Sequence, residues 1–192
     1  AKLFLESIWA SGWKPEDRAR VEVATPERWQ KTIAMAKERG RGLVLFTGHV
    51  GTFDVLGRWI QEETGMPLLA VAGKPKSEAM AALMKQQRES VGYRLVWRGE
   101  AGPPAMRHLR AGGMMVILVD HNLKGDGVAI PFFGREAHTL LAPARLALQS
   151  GAVTNTVFCL RKGVGELHFE AGEPWEQLKW PTDKKERFQA QA

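Results

Sequence analysis

The chain has 192 residues, 44% of them hydrophobic and 25% charged, with 27 Lys and Arg against 21 Asp and Glu for a formal net charge of +6. That apolar content suits one folded domain with a single sizeable core and excludes intrinsic disorder. The lone cysteine, Cys159, excludes an internal disulfide framework or a cysteine-rich zinc site, and the longest aliphatic run, Met114–Val119, is far short of the ~20 residues of a membrane-spanning helix.

In chain order, Leu3, Phe4, Ile8 and Trp9 recur at helical spacings and predict a short amphipathic helix over residues 2–11, closed by Pro15. Val21–Ala24 alternates as a short strand, and Thr25-Pro26-Glu27 opens a helix that runs to Arg39, where Gly40 and Gly42 stop it. Leu43–Thr47 is a continuous apolar run of the kind found in buried parallel strands. Regular alternation follows: helix 52–63, strand Leu68–Ala72, helix 77–90, strand Tyr93–Trp97, helix 104–111 and strand Met114–Val119. After a glycine-rich turn at Gly125–Gly127 come a strand Val128–Phe133 and a helix 141–149. Val153–Leu160 and Glu166–Glu170, joined through Gly163–Gly165, read as a hairpin. The expectation is an α/β domain with a mostly parallel central sheet flanked by helices, and no linker divides it.

Charge is unevenly placed. Residues 74–110 hold eight basic residues and three acidic ones, a net of +5. Such a patch suits lipid headgroups, an acidic carrier protein or nucleic acid, although a solvated helix face is the commoner meaning of a charge cluster. No nucleic-acid motif or interleaving of aromatic and basic residues on a strand accompanies it, so nucleic acid is not expected as a partner.

The most informative segment is Gly42–Gly57, where the buried strand ends at Thr47 and two glycines, Gly48 and Gly51, flank His49 before the next helix. Ligands of open α/β sheets collect at the carboxyl ends of the strands, which is where His49 falls. Asp54 follows five residues later. Two residues five apart on one helix do not face each other, but with His49 in the turn and Asp54 in the first helical turn the carboxylate can fold back onto the imidazole. It would fix the tautomer and leave the other ring nitrogen free as a general base. The same pattern also fits a capping Asp and a His bonded to backbone. No second histidine lies at metal-ligand spacing, so no metal is expected.

Gly48-His49-Val50-Gly51-Thr52-Phe53-Asp54 resembles the His-x4-Asp/Glu motif of the lysophospholipid acyltransferase superfamily, and more narrowly its lipid A lauroyl/myristoyl acyltransferase branch. Val119-Asp120-His121-Asn122, Gly127–Arg135, Thr139 and Ala142–Ala152 follow that branch's order and spacing, so the resemblance covers roughly Glu6 to Trp175. Thr52-Phe53-Asp54 stands where the branch usually has Asn-Trp-Glu, and His121 where it commonly has Gln. The resemblance implies transfer of a fatty acyl group from an acyl-carrier-protein or coenzyme A thioester to a hydroxyl of a phosphorylated lipid A precursor, with no cofactor. His49 and Asp54 would form the catalytic dyad. The enzyme would work at the cytoplasmic face of the bacterial inner membrane. It also implies that residues 1–192 form one catalytic domain, with the branch's N-terminal membrane-anchoring helix and C-terminal helical segment missing.

Gly134 and Arg135 stand where the superfamily binds an acceptor phosphate, and the bland reading is a strand end with an exposed Arg. Asp120 closes the strongest strand and would position substrate or cap the next turn. Arg88 and Arg98 are candidates for phosphate or carrier-protein contacts, each alone more often a surface charge. Met80, Leu83 and Met84 read as core packing before an acyl-chain groove, and Cys159 as a small buried hydrophobe.

Overall fold

Every residue of Leu43–Thr47 is buried, and this strand is the axis about which the computed structural model is built. The structure describes residues 12–121 and 127–175, so the helix expected over residues 2–11 and most of the Gly125–Gly127 turn lie outside them. A 3-10 turn at Pro15–Arg20 leads into β1 (Val21–Val23) and α1 (Pro26–Arg39). Then come β2 (Leu43–Thr47), α2 (Phe53–Thr64), β3 (Leu68–Ala72), α3 (Glu78–Ser90), β4 (Arg94–Trp97), α4 (Gly102–Arg110) and β5 (Met114–Leu118). The chain continues as β6 (Gly127–Phe132), β7 (Arg135–Leu140), α5 (Ala142–Ser150), β8 (Val153–Gly163) and β9 (Glu166–Ala171). Among the described residues no helix is long and apolar enough to cross a membrane.

Seven strands form one sheet in the order β1-β9-β8-β2-β5-β3-β4. All pairs are parallel except the β8–β9 hairpin, and helices cover both faces, as expected for this alternation. The doubly covered sheet explains why β2 reads as an unbroken apolar run. Leu43 and Leu45 point to the face packed by Trp29 of α1 and Val55, Leu56, Trp59 and Ile60 of α2. Val44 and Phe46 point to the other face, against Ala105 and Leu109 of α4 and Ala147 of α5. Each fully buried aliphatic chain contributes about 1.5–3 kcal/mol. Trp59 and Phe169 lie with ring centroids 4.5 Å apart, and Trp29 meets Phe169 edge-on at 5.1 Å, which occupies two of the tryptophans in the first core.

Two expectations need correction. The segment from Val128 is not a lone strand. It is the first arm of a hairpin, β6–β7, which stands apart from the main sheet as a two-stranded ribbon. Arg135–Leu140 mixes polar and apolar residues too evenly for a buried-strand signal, and only its cross-strand partner makes it a strand. The Met80, Leu83, Met84 stripe is also not core, since Met80 and Leu83 are more than half exposed and α3 buries only Ala81 fully.

Candidate active site

Identical register in two adjacent parallel strands brings the site together. β2 pairs with β5 from Leu43↔Met114 to Thr47↔Leu118, and the Val119 amide, one residue past β5, donates to the Thr47 carbonyl at 3.0 Å. Two residues past the Thr47–Leu118 pair, the two segments reach His49 and Asp120, at the carboxyl end of the sheet where open α/β folds place ligands. Asp120 takes two hydrogen bonds from His49. The backbone amide donates to Oδ2 at 2.6 Å, and ring Nδ1 lies 2.7 Å from Oδ1. An ionised carboxylate only accepts, so this contact places the ring proton on Nδ1 and leaves the Nε2 lone pair available. Among the described residues Nε2 has no partner. His121 stacks on the His49 ring at 4.2 Å, and Phe53 meets it edge-on at 5.3 Å, so the ring is held by one clamp and two flanking rings.

Partial burial raises the Asp120 carboxyl, but the ring and backbone hydrogen bonds from His49 outweigh it and hold the group below its ordinary 3.8. A carboxylate depressed in the folded state stabilises fully above its unfolded value and loses that contribution as the pH falls through the folded one. The clamp is therefore intact across the neutral and mildly acid range.

The glycines beside His49 admit protein groups. A Cβ on Gly48 would sit 3.1 Å from Asp120 Oδ2, so the missing side chain lets the clamp close. Gly51 has a φ of +67°, and a Cβ there would lie 2.0 Å from the Cys159 carbonyl of β8. Thr52 completes this anchor, with its amide donating to the Cys159 carbonyl at 2.8 Å and its hydroxyl donating toward the sulfur at 3.1 Å. Gly51→Ala combines a disfavoured backbone conformation with an overlap against backbone, and should cost roughly 2–4 kcal/mol, lowering the thermal midpoint by roughly 4–16 °C. Calorimetry of the variant checks it. A midpoint within one degree of the parent would show that the turn is not anchored this way.

Asp54, the carboxylate expected on the imidazole from spacing, is buried in the first turn of α2 and forms an ion pair with Arg88 of α3. A helix N-terminus favours a carboxylate, and Arg88 is itself only a quarter exposed, so this pair is structural masonry rather than a loose surface contact. Tyr93 closes the cluster by donating its hydroxyl to the Asp54 carbonyl at 2.8 Å, and burial pushes its phenol well above the ordinary value. The approach depends on Gly57, where a Cβ would fall 2.6 Å from that hydroxyl. Sequence reasoning missed Tyr93. Its being the chain's sole tyrosine was visible, but its reach onto α2 was not.

Residues 4–191 match the family described as bacterial lipid A biosynthesis acyltransferase. The chain belongs to that family. Phosphatidylinositol mannoside acyltransferase of Mycolicibacterium smegmatis is 31% identical over 134 residues, 68% of this chain and 44% of that protein. Its namesake from Mycobacterium tuberculosis is 29% identical over 130 residues, 66% of this chain and 41% of that protein. The chain thus spans less than half the length of these curated relatives.

In this member of the lipid A acyltransferase family, the structure joins His49 to Asp120 and Asp54 to Arg88. It leaves Arg98 exposed just past β4, and sets Gly134 and Arg135 at the tip of the β6–β7 hairpin. Cys159 is buried, its thiol is pushed up to about 11 by burial, and Thr52 covers the sulfur, so it cannot serve as a nucleophile at neutral pH.

Proposed function

We propose that this chain is the catalytic domain of an O-acyltransferase that moves a fatty acyl group from an acyl-carrier-protein or coenzyme A thioester to a hydroxyl of a phosphorylated glycolipid, a lipid A precursor, at the cytoplasmic face of the bacterial inner membrane. The observation that carries it is the His49 ring, with Nδ1 committed to Asp120 and Nε2 without a partner among the described residues. Nε2 removes the proton of the acceptor hydroxyl as its oxygen attacks the thioester carbonyl. The C–O bond forms, the tetrahedral intermediate collapses with loss of the C–S bond, and the imidazolium returns its proton to the departing thiolate. Asp120 stays ionised and supports the transient positive charge. No acyl-enzyme is needed, since the buried Cys159 is out of play and the thioester is already activated.

Asp54 acts in this reading through Arg88, holding the guanidinium so that its remaining donors meet anionic groups of donor or acceptor. Arg98, Gly134 and Arg135 bind phosphate or carrier at the rim. The acceptor class rests on the family description together with relatives whose names specify a phosphatidylinositol mannoside, another anionic glycolipid.

Mass spectrometry of cellular lipids, with and without the active enzyme and with His49→Ala as control, tests the proposal. An acyl chain gained on lipid A only with the active form supports it. A gain confined to another glycolipid moves the acceptor within the class, and an unchanged lipid profile removes the assignment.

A further inference from the structure

The β6–β7 hairpin carries a feature that acyl transfer does not require. Its two-residue turn is Phe133-Gly134, with φ of +48° and +74°. Two-residue turns with both φ positive are normally filled by Asn, Asp or Gly, because a side chain there is strained. Phe133 is the only described residue other than glycine at positive φ, and it is 93% exposed. Phe132 is 62% exposed and packs edge-on against it at 4.7 Å, so the turn displays an aromatic pair to the outside. Phe132 pairs with Arg135 across the ribbon, which puts that exposed guanidinium on the same face as the Phe132 ring.

The hairpin's place in the fold shows what the tip meets. Its base lies between the carboxyl end of β5 and the start of α5, at the same end of the sheet as His49, and exposure rises from base to tip. Other exposed apolar residues share that end: Val50 in the turn after β2, and Met80 and Leu83 on the first turns of α3. Exposed bases share it too, with Lys76 after β3 and Arg98 after β4. Exposed apolar side chains and bases gathered at one end of the sheet match a bilayer with anionic headgroups, which takes both the rings and the charge.

We propose that the tip of the β6–β7 hairpin inserts into an anionic lipid bilayer, Phe132 and Phe133 entering the headgroup–acyl boundary while Arg135 stays at phosphate level and the mouth of the His49 site faces the membrane. The choice of occupant rests on the lipid-acyltransferase reading, and the geometry of the tip stands without it.

The test is sedimentation of the 192-residue chain with phosphatidylethanolamine–phosphatidylglycerol vesicles, beside the double variant Phe132→Thr/Phe133→Asn. Asn suits the left-handed turn and Thr suits an exposed strand, so the hairpin is kept. The double variant should lose about tenfold or more in vesicle partition with its thermal midpoint unchanged. Since the native cysteine is buried, Phe133→Cys accepts an environment-sensitive fluorophore at one position. Its emission should rise with these vesicles and be quenched by lipids brominated on the acyl chain. The same label on Arg39→Cys, at the opposite end of the sheet, should not respond. Equal partition of parent and double variant, or no binding of the parent, overturns the proposal. So does a Phe133→Cys label that bromolipid does not quench. His49→Ala should bind vesicles like the parent. Vesicle binding by the parent without any acyl transfer by the parent from detergent-dispersed substrates would sink the enzymatic reading while leaving the hairpin's role standing.

Discussion

His49→Ala is expected to lower acyl transfer by about 10²–10⁴-fold with the thermal midpoint essentially unchanged. The size follows from what the ring does. Without Nε2 the acceptor hydroxyl loses the ring nitrogen that Asp120 orients as its base, and an alcohol of ordinary acidity must attack without that help. The small effect on folding follows from the ring's surroundings. The His49 side chain is 38% exposed, and its loss removes the hydrogen bond to Oδ1 while the backbone amide keeps Oδ2 occupied. Steady-state assay beside calorimetry checks both halves. Turnover within tenfold of the parent would end the general-base assignment, and a large drop in midpoint would recast His49 as a structural residue.

Asp120→Asn should cost a comparable amount, about 10²–10⁴-fold in kcat, with far less change in KM. An amide in place of the carboxylate can donate to Nδ1, which moves the ring proton to Nε2 and blocks the base. The expected signature is therefore a tautomer switch. ¹⁵N shifts of the His49 ring should report Nδ1–H in the parent and Nε2–H in the variant. Asp54→Asn should behave differently. It removes a buried carboxylate from Arg88, so its main effects fall on stability and KM, and the His49 tautomer stays as in the parent. Should Asp54→Asn instead switch the tautomer while Asp120→Asn leaves it alone, Asp54 would be the orienting group, as the spacing alone suggested.

That contrast marks the limit of what was legible beforehand. The strands β2, β3 and β5 were readable because a sheet covered on both faces demands near-continuous apolar runs, and such runs stand out in the sequence. The β8–β9 hairpin was marked by its glycines. β7 escaped because an exposed ribbon buries little on either face, leaving no periodic pattern to detect. The exposed Met80 and Leu83 misled in the other direction, since helical spacing of apolar residues reports a stripe but not whether anything covers it.

The sequence by itself determined that a mostly parallel α/β sheet would form, and that His49 would stand at the carboxyl end of a buried strand. It also determined that two glycines would shape the turn there. Which carboxylate meets the ring was decided only by tertiary structure. Asp54 is close in the chain, but a local carboxylate reaches the imidazole only if the first turn of α2 folds it back, and Arg88 draws it into another pair. Asp120 is 71 positions away and arrives because β5 lies beside β2 in matching register, with β3 and β4 set beyond it. Strand order is a property of how the sheet buries its faces, and local spacing carries no record of it.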